Sequence, residues 1–183
     1  MNKPITTTLN EIRKNGPCKD GWEILLKHLG KKKADDEPLK LLTILESNGM
    51  SDCLWCARAT HGHDRLWRLY AVWCARQVQH LMTDQRSLDA LDFAERWANG
   101  NATAADRLAV TRRAAVRAYL AAKALGPAAY EDWFTAASSI AVLEPKASQA
   151  ALLAAPCAAW GTAMNVYEAK LRQILTAGEW VDE

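Results

Sequence analysis

A chain of 183 residues, half of them hydrophobic and 24% charged, has the profile of a globular protein and excludes a disordered one. A chain this long removes roughly 70% of its unfolded surface from water on folding, so neither disulfides nor a metal is needed to hold it together. A net charge of +2 disfavours nucleic acid, which calls for a clustered basic excess, and no run of about eighteen apolar residues is present to form a transmembrane span.

The opening residues, Met1 to Thr6, lack the apolar centre of a signal peptide. Thr8 and Glu11 then have capping-box spacing and predict a short helix with Leu9 and Ile12 on one face, ended by Asn15, Gly16 and Pro17. Asp20 and Glu23 repeat that spacing ahead of Trp22, Leu25, Leu26 and Leu29, with Gly30 as a left-handed cap. Lys31, Lys32 and Lys33 are followed at once by Asp35, Asp36 and Glu37, which cancels their far field. Asp35 or Asp36 is expected to open a third helix with Pro38 in its first turn; Leu41, Leu42 and Leu45 line it and Asn48 and Gly49 stop it.

Ser51 begins a short helix carrying Cys53, Trp55 and Cys56, broken at His61, Gly62 and His63. Asp64 is expected to cap a helix from Arg65 to about Leu81, with Leu66, Leu69, Tyr70, Trp73, Val78 and Leu81 as its core stripe. Another helix spans Ser87 to Trp97 and ends at Asn99 and Gly100. Beyond Asn101 alanine dominates. Thr103 and Asp106 start a long helix to Leu125, closed by Gly126 and Pro127; others reach Leu143, break near Pro156 and end at about Thr176.

No run reads as an alternating strand. The expected fold is all-α, a multi-helix bundle of stacked antiparallel hairpins, because alanine favours helix and lets helix axes approach closely. The change of composition divides the chain into a Trp/Leu/Cys-rich half, 1–99, and an Ala-rich half, 103–177, together forming one compact unit.

The segment Cys53, Cys56, His61 and His63 gathers four zinc-type ligands within eleven residues. The two cysteines fall on a helix, however, and not on the tight turn that commonly presents such a pair, so buried thiols beside an ordinary polar loop explain them better. His63 and Asp64 suggest the ligand pairs of metal-dependent phosphohydrolases, which require further His and Asp from other helices. The other histidines are His28 and His80, and Asp64 serves as a helix cap. A metal-dependent hydrolase or zinc-stabilised regulator built on Cys53–Asp64 is the alternative reading.

There is no nucleophile elbow, dinucleotide loop or phosphate loop, and Cys74 and His80 are six residues apart on one helix and point in different directions. No catalytic set assembles, and no cofactor is expected. The five cysteines, odd in number and mostly in apolar patterns, fit reduced thiols of a cytoplasmic protein.

Eight tryptophans are many for this length. Trp22, Trp73 and Trp97 fall on apolar stripes, whereas Trp55, Trp67, Trp133, Trp160 and Trp180 do not. Arg65, Trp67 and Arg68, with Trp55, have the composition of an interface hot spot, although a core role is the usual one for any single tryptophan. Arg112, Arg113 and Arg117 form a basic group that reads as a solvated helix face.

The segments Cys18–Gly30, Asp35–Leu39 and Thr43–Gly49 resemble small proteins encoded by phages and prophages of enteric bacteria. Arg68–Arg76, Arg86–Leu91 and Ala94–Gly100 are similar to the Imm-5-like immunity protein family. The resemblance covers roughly residues 15–125 and consists of helix-packing patterns, so it carries over no active-site residue. It implies a non-catalytic accessory protein that binds and neutralises a host or toxin protein, either as counter-defence, for example an anti-CRISPR, or as toxin immunity.

Overall fold

The capping and glycine signals act locally, and the computed structural model follows most of them. It describes residues 3–82, 84–103, 106–107, 110–111, 146 and 164–182. Among these the chain is mainly helical: α1 Leu9–Lys14, α2 Lys19–His28, α3 Leu41–Asn48, α4 Met50–Cys56, α5 Asp64–Gln77, α6 Gln85–Ala98 and α7 Met164–Ala177, with two-residue strands β1 Thr6–Thr7 and β2 Leu39–Lys40. The helices expected to run to Leu125 and Leu143 and to break near Pro156, and with them Arg112, Arg113, Arg117, Trp133, Cys157 and Trp160, lie outside the described residues. None of the described helices is long and apolar enough to cross a membrane.

The backbone divides into two units, Met1–His63 with Glu168–Glu183, and Asp64–Tyr167. The divisions fall between His63 and Asp64 and between Tyr167 and Glu168.

In the first unit Thr8 caps α1, its hydroxyl accepting from the Glu11 amide at 3.1 Å. The return bond of a capping box is not made; the Glu11 carboxylate pairs with Lys14 instead. α2 starts at Lys19, with Cys18 as an N-cap lacking a side-chain bond. Asp20 is therefore in the first turn, where its charge faces the positive helix end, and is not the cap.

The third helix also starts later than expected. Asp35 uses its carboxylate to accept from the Glu37 amide at 3.2 Å and from Lys31 at 2.6 Å, and its carbonyl accepts from the Asn10 amide at 3.0 Å. Those bonds, with Pro38 disfavouring helical backbone at Glu37, hold the segment as a loop. Leu39–Lys40 then pairs antiparallel with Thr6–Thr7, and α3 begins at Leu41. Gly49 ends it at φ 82°, a conformation costly for any residue with a Cβ.

Ile5, Leu9, Ile12, Leu41, Ile44 and Leu54 form the centre of this unit, each at most 1% exposed. The last three turns of α7 add Leu171, Ile174 and Leu175, and Arg172 reaches Glu46 of α3 at 3.4 Å. The Thr7 hydroxyl, buried, donates to the Ala59 carbonyl at 2.6 Å, tying β1 to the 3-10 turn after α4.

In the second unit α5 packs on α6, and Arg76 bridges them with bonds of 2.8 Å to Asp92 and 2.7 Å to Glu95. Leu66, Leu69, Tyr70 and Val78 are buried as the stripe requires, but Leu81 is 37% exposed. α5 stops at Gln77, and Gln79–Leu81 is a 3-10 turn, so the period of 3.6 no longer applies there. α6 is capped by Asp84, which accepts from the Arg86 amide at 2.9 Å. Ser87, expected at the helix start, is 2% exposed. Thr103 and Asp106 do form a reciprocal cap, the hydroxyl accepting at 3.2 Å and the carboxylate accepting from the Thr103 amide at 3.1 Å.

Candidate functional site

Zinc ligation needs thiolates and unprotonated imidazoles converging on one point. Cys53 and Cys56 are three residues apart on α4 and are 0% and 4% exposed. Burial pushes both thiols up, Cys56 to about 12 and Cys53 further, so both stay protonated at neutral pH. The Cys53 thiol donates to the Leu41 carbonyl at 3.4 Å. His61 is on the surface, its Nε2 3.8 Å from a Glu11 carboxylate oxygen, and His63 is half-buried, its pKa lowered by that burial. Among the described residues no three His, Cys, Asp or Glu side chains come together as a metal site. The sequence proximity of Cys53, Cys56, His61 and His63 therefore does not become spatial convergence: helix α4 aims the thiols inward while Gly62, at φ 78°, turns the loop outward.

The hot-spot residues also separate. Arg65 is exposed and donates to the Asn99 side chain at 2.9 Å. Trp67 is 1% exposed and so is a core residue, not a surface anchor. Arg68 is 9% exposed, its guanidinium 3.6 Å from the Trp97 ring centroid. Nine of the fourteen residues of α5 are buried, so its buried face is wider than a single stripe and takes in Trp67 as well. Trp55 belongs to the first unit. It is half-buried, with the Arg58 guanidinium 4.3 Å from its ring centroid.

Trp55 also marks the site that sequence reasoning did not anticipate. A cleft of about 110 Å³ lies in the first unit, with Trp22, Trp55, Leu25, Ile44, Ile12 and Pro17 as apolar walls. Gly21, Asn48, Asp52, Cys18 and Cys56 complete the lining. The polar side is ordered by a short relay. The Ser47 hydroxyl donates to the Asn48 side-chain oxygen at 2.6 Å. The Asn48 amide then donates to the Gly21 carbonyl at 2.8 Å and to one oxygen of Asp52 at 2.9 Å. One asparagine thus ties α2 to the corner where α3 turns into α4.

Gly21 makes the close approach possible. A Cβ there would sit 2.6 Å from the bonded Asp52 oxygen and 3.1 Å from the Cys18 sulfur, so the absence of a side chain in the first turn of α2 is what admits Asp52. In the sequence, Asn48 is a helix stop, Asp52 one helical residue among several and Gly21 a weak helix former. The hint that existed was Trp55, a tryptophan off any apolar stripe.

The cleft contains one carboxylate, two protonatable thiols and no imidazole. It has the features of a binding pocket: apolar walls and a few ordered polar groups. No protein-family model matches the chain, and no curated protein or solved structure shows significant similarity to it.

Proposed function

We propose that the chain is a non-catalytic protein-binding protein and that its partner inserts a side chain into the tryptophan-lined cleft of the first unit. One observation carries this reading: Trp22 and Trp55, both half-buried, wall an apolar cleft. A partly exposed tryptophan around a pocket is the composition that dominates interface energetics. The resemblance of residues 15–125 to phage and prophage proteins and to the Imm-5-like family adds the biological setting, neutralisation of a host or toxin protein, whether as counter-defence such as an anti-CRISPR or as toxin immunity. A cytoplasmic location belongs to the same proposal, supported by four described cysteines that are all free thiols. So does a bundle of antiparallel hairpins, supported by the short helix connections.

The test is affinity capture from the host with the full-length chain, run beside Trp22→Ala and Trp55→Ala variants that keep their helical circular dichroism. A stoichiometric partner retained by the wild-type chain and lost by both variants supports the reading. A partner retained equally by all three removes the cleft from it, and repeated capture of nothing above background removes the reading itself.

A further inference from the structure

Asp52 is out of character with the rest of the cleft. Its neighbours along the wall are tryptophans and aliphatic side chains, yet it is a carboxylate, half-buried, with one oxygen engaged by Asn48. No cation pairs with it among the described residues. A purely apolar guest filling this cleft would strip water from that carboxylate, whose charge the first turn of α4 and the Asn48 amide offset only in part, and that is costly. A guest carrying a positive charge on an apolar stem removes that penalty.

Resting on the protein-binding reading above, we infer that the side chain this cleft receives is a lysine of the partner, its methylene stem against the half-buried Trp22, Trp55 and Pro17 and its ammonium on the open oxygen of Asp52.

Three features favour lysine over other guests. The volume, about 110 Å³, is room for roughly four groups of water size, and a lysine side chain beyond its Cβ has three carbons and a nitrogen. Lysine buries a hydrocarbon stem while its head seeks a polar partner, which matches a cleft with apolar walls and a carboxylate. Arginine fits less well. Its planar fork is best satisfied by both oxygens of a carboxylate, and the Asn48 amide already holds one of them. Trp55 contributes mainly apolar wall, because Arg58 already covers its ring; Arg58 itself does not line the cleft.

The experiment uses the full chain with ¹⁵N-labelled tryptophan, following the Trp22 and Trp55 indole signals by NMR at fixed ionic strength. The probes are n-butylammonium, n-butylguanidinium and 1-butanol, each titrated into the high millimolar range. Saturable shifts at both indoles are expected, with n-butylammonium binding about fivefold tighter than 1-butanol, the upper end for a half-exposed ion pair. The guanidinium should fall between them. Asp52→Asn, which keeps an oxygen to accept from Asn48, should bring the ammonium-to-alcohol ratio close to one. An ammonium no tighter than the alcohol in the wild-type chain overturns the inference, and needs no variant to do so. A ratio unchanged by Asp52→Asn overturns it as well. In both cases the indole shifts keep the cleft as an apolar binding site. Silence of both indoles with every probe overturns the lysine assignment, while the capture experiment with Trp22→Ala and Trp55→Ala decides separately whether a partner binds there at all.

Discussion

Replacing Gly21 by alanine sets two effects of opposite sign against each other. Gly21 is the third residue of α2, and alanine there favours helix by about 1 kcal/mol over glycine. Its Cβ, however, would meet the Asp52 oxygen at 2.6 Å and the Asp52 carboxyl carbon at 3.4 Å, so the carboxylate must move. Moving it gives up the 2.9 Å bond from Asn48. A hydrogen bond to a charged group contributes about 1.5–3 kcal/mol, taken here at its lower end because Asp52 is half-exposed and water replaces part of it. An aspartate forced off its rotamer adds about 0.5–1 kcal/mol. The two losses exceed the helix gain, and Gly21→Ala is expected to destabilise by about 1 kcal/mol. In a chain of this size that lowers Tm by about 2–4 °C. In an Asp52→Ala background only the 3.1 Å approach to the exposed Cys18 sulfur remains, which a small side-chain shift relieves, and the same substitution should stabilise by about 0.5–1 kcal/mol. The assay is thermal or urea unfolding of the four variants, followed by far-ultraviolet circular dichroism. A change of sign between backgrounds, amounting to a coupling near 1.5–2 kcal/mol, is the predicted signature. Equal stabilisation by Gly21→Ala in both backgrounds refutes the close approach of α2 to Asp52.

Three further outcomes are expected. Of the four described cysteines only Cys18 is exposed, so brief alkylation of the native chain followed by peptide mass spectrometry should modify Cys18 and leave Cys53, Cys56 and Cys74 largely unmodified. Arg68→Ala should destabilise by about 1–3 kcal/mol, since it removes a buried guanidinium packed 3.6 Å over Trp97; Arg65→Ala, on an exposed side chain, should change unfolding by no more than about 0.5 kcal/mol. Burial lowers the His63 pKa below the ordinary 6.5, so the unfolded chain takes up that proton first and stability declines as pH falls through 6.5. His63→Gln should flatten the fall of Tm between neutral pH and the depressed value, and an unchanged pH profile would count against a half-buried imidazole.

Much of the local punctuation was readable before any tertiary contact was known. The Thr8 cap, the Thr103–Asp106 cap and the breaks at Gly30, Gly49, Gly62 and Gly100 depend on residues within four of one another, so spacing alone identifies them. Where a local signal failed, a more distant bond had overruled it. Asp35 has the residue type of a helix cap, but Lys31, Glu37 and the Asn10 amide use its oxygens otherwise. Ser87 reads as a helix start, yet Asp84 caps α6 and Ser87 is buried. The strands β1 and β2 are two residues each, too short for any alternation to show, and they exist because Ile5–Thr7 and Leu39–Leu41 meet across more than thirty residues of sequence.

The candidate site was least readable of all, and for the same reason. Trp67 and Trp55 are both off the apolar stripes, but one is core and the other walls a cleft; only the wide buried face of α5 separates them. Zinc-type ligands clustered in sequence diverged in space, whereas Gly21 and Asp52 converged with Asn48, which the sequence marks only as a helix stop. By itself the sequence determined a helical chain and most of its helix ends, because capping and glycine conformation are energies of neighbouring residues. Which side chains meet around the cleft was decided by tertiary packing, since the Asn48 bonds that order it join α2 to the α3–α4 corner and exist only once those helices have come together.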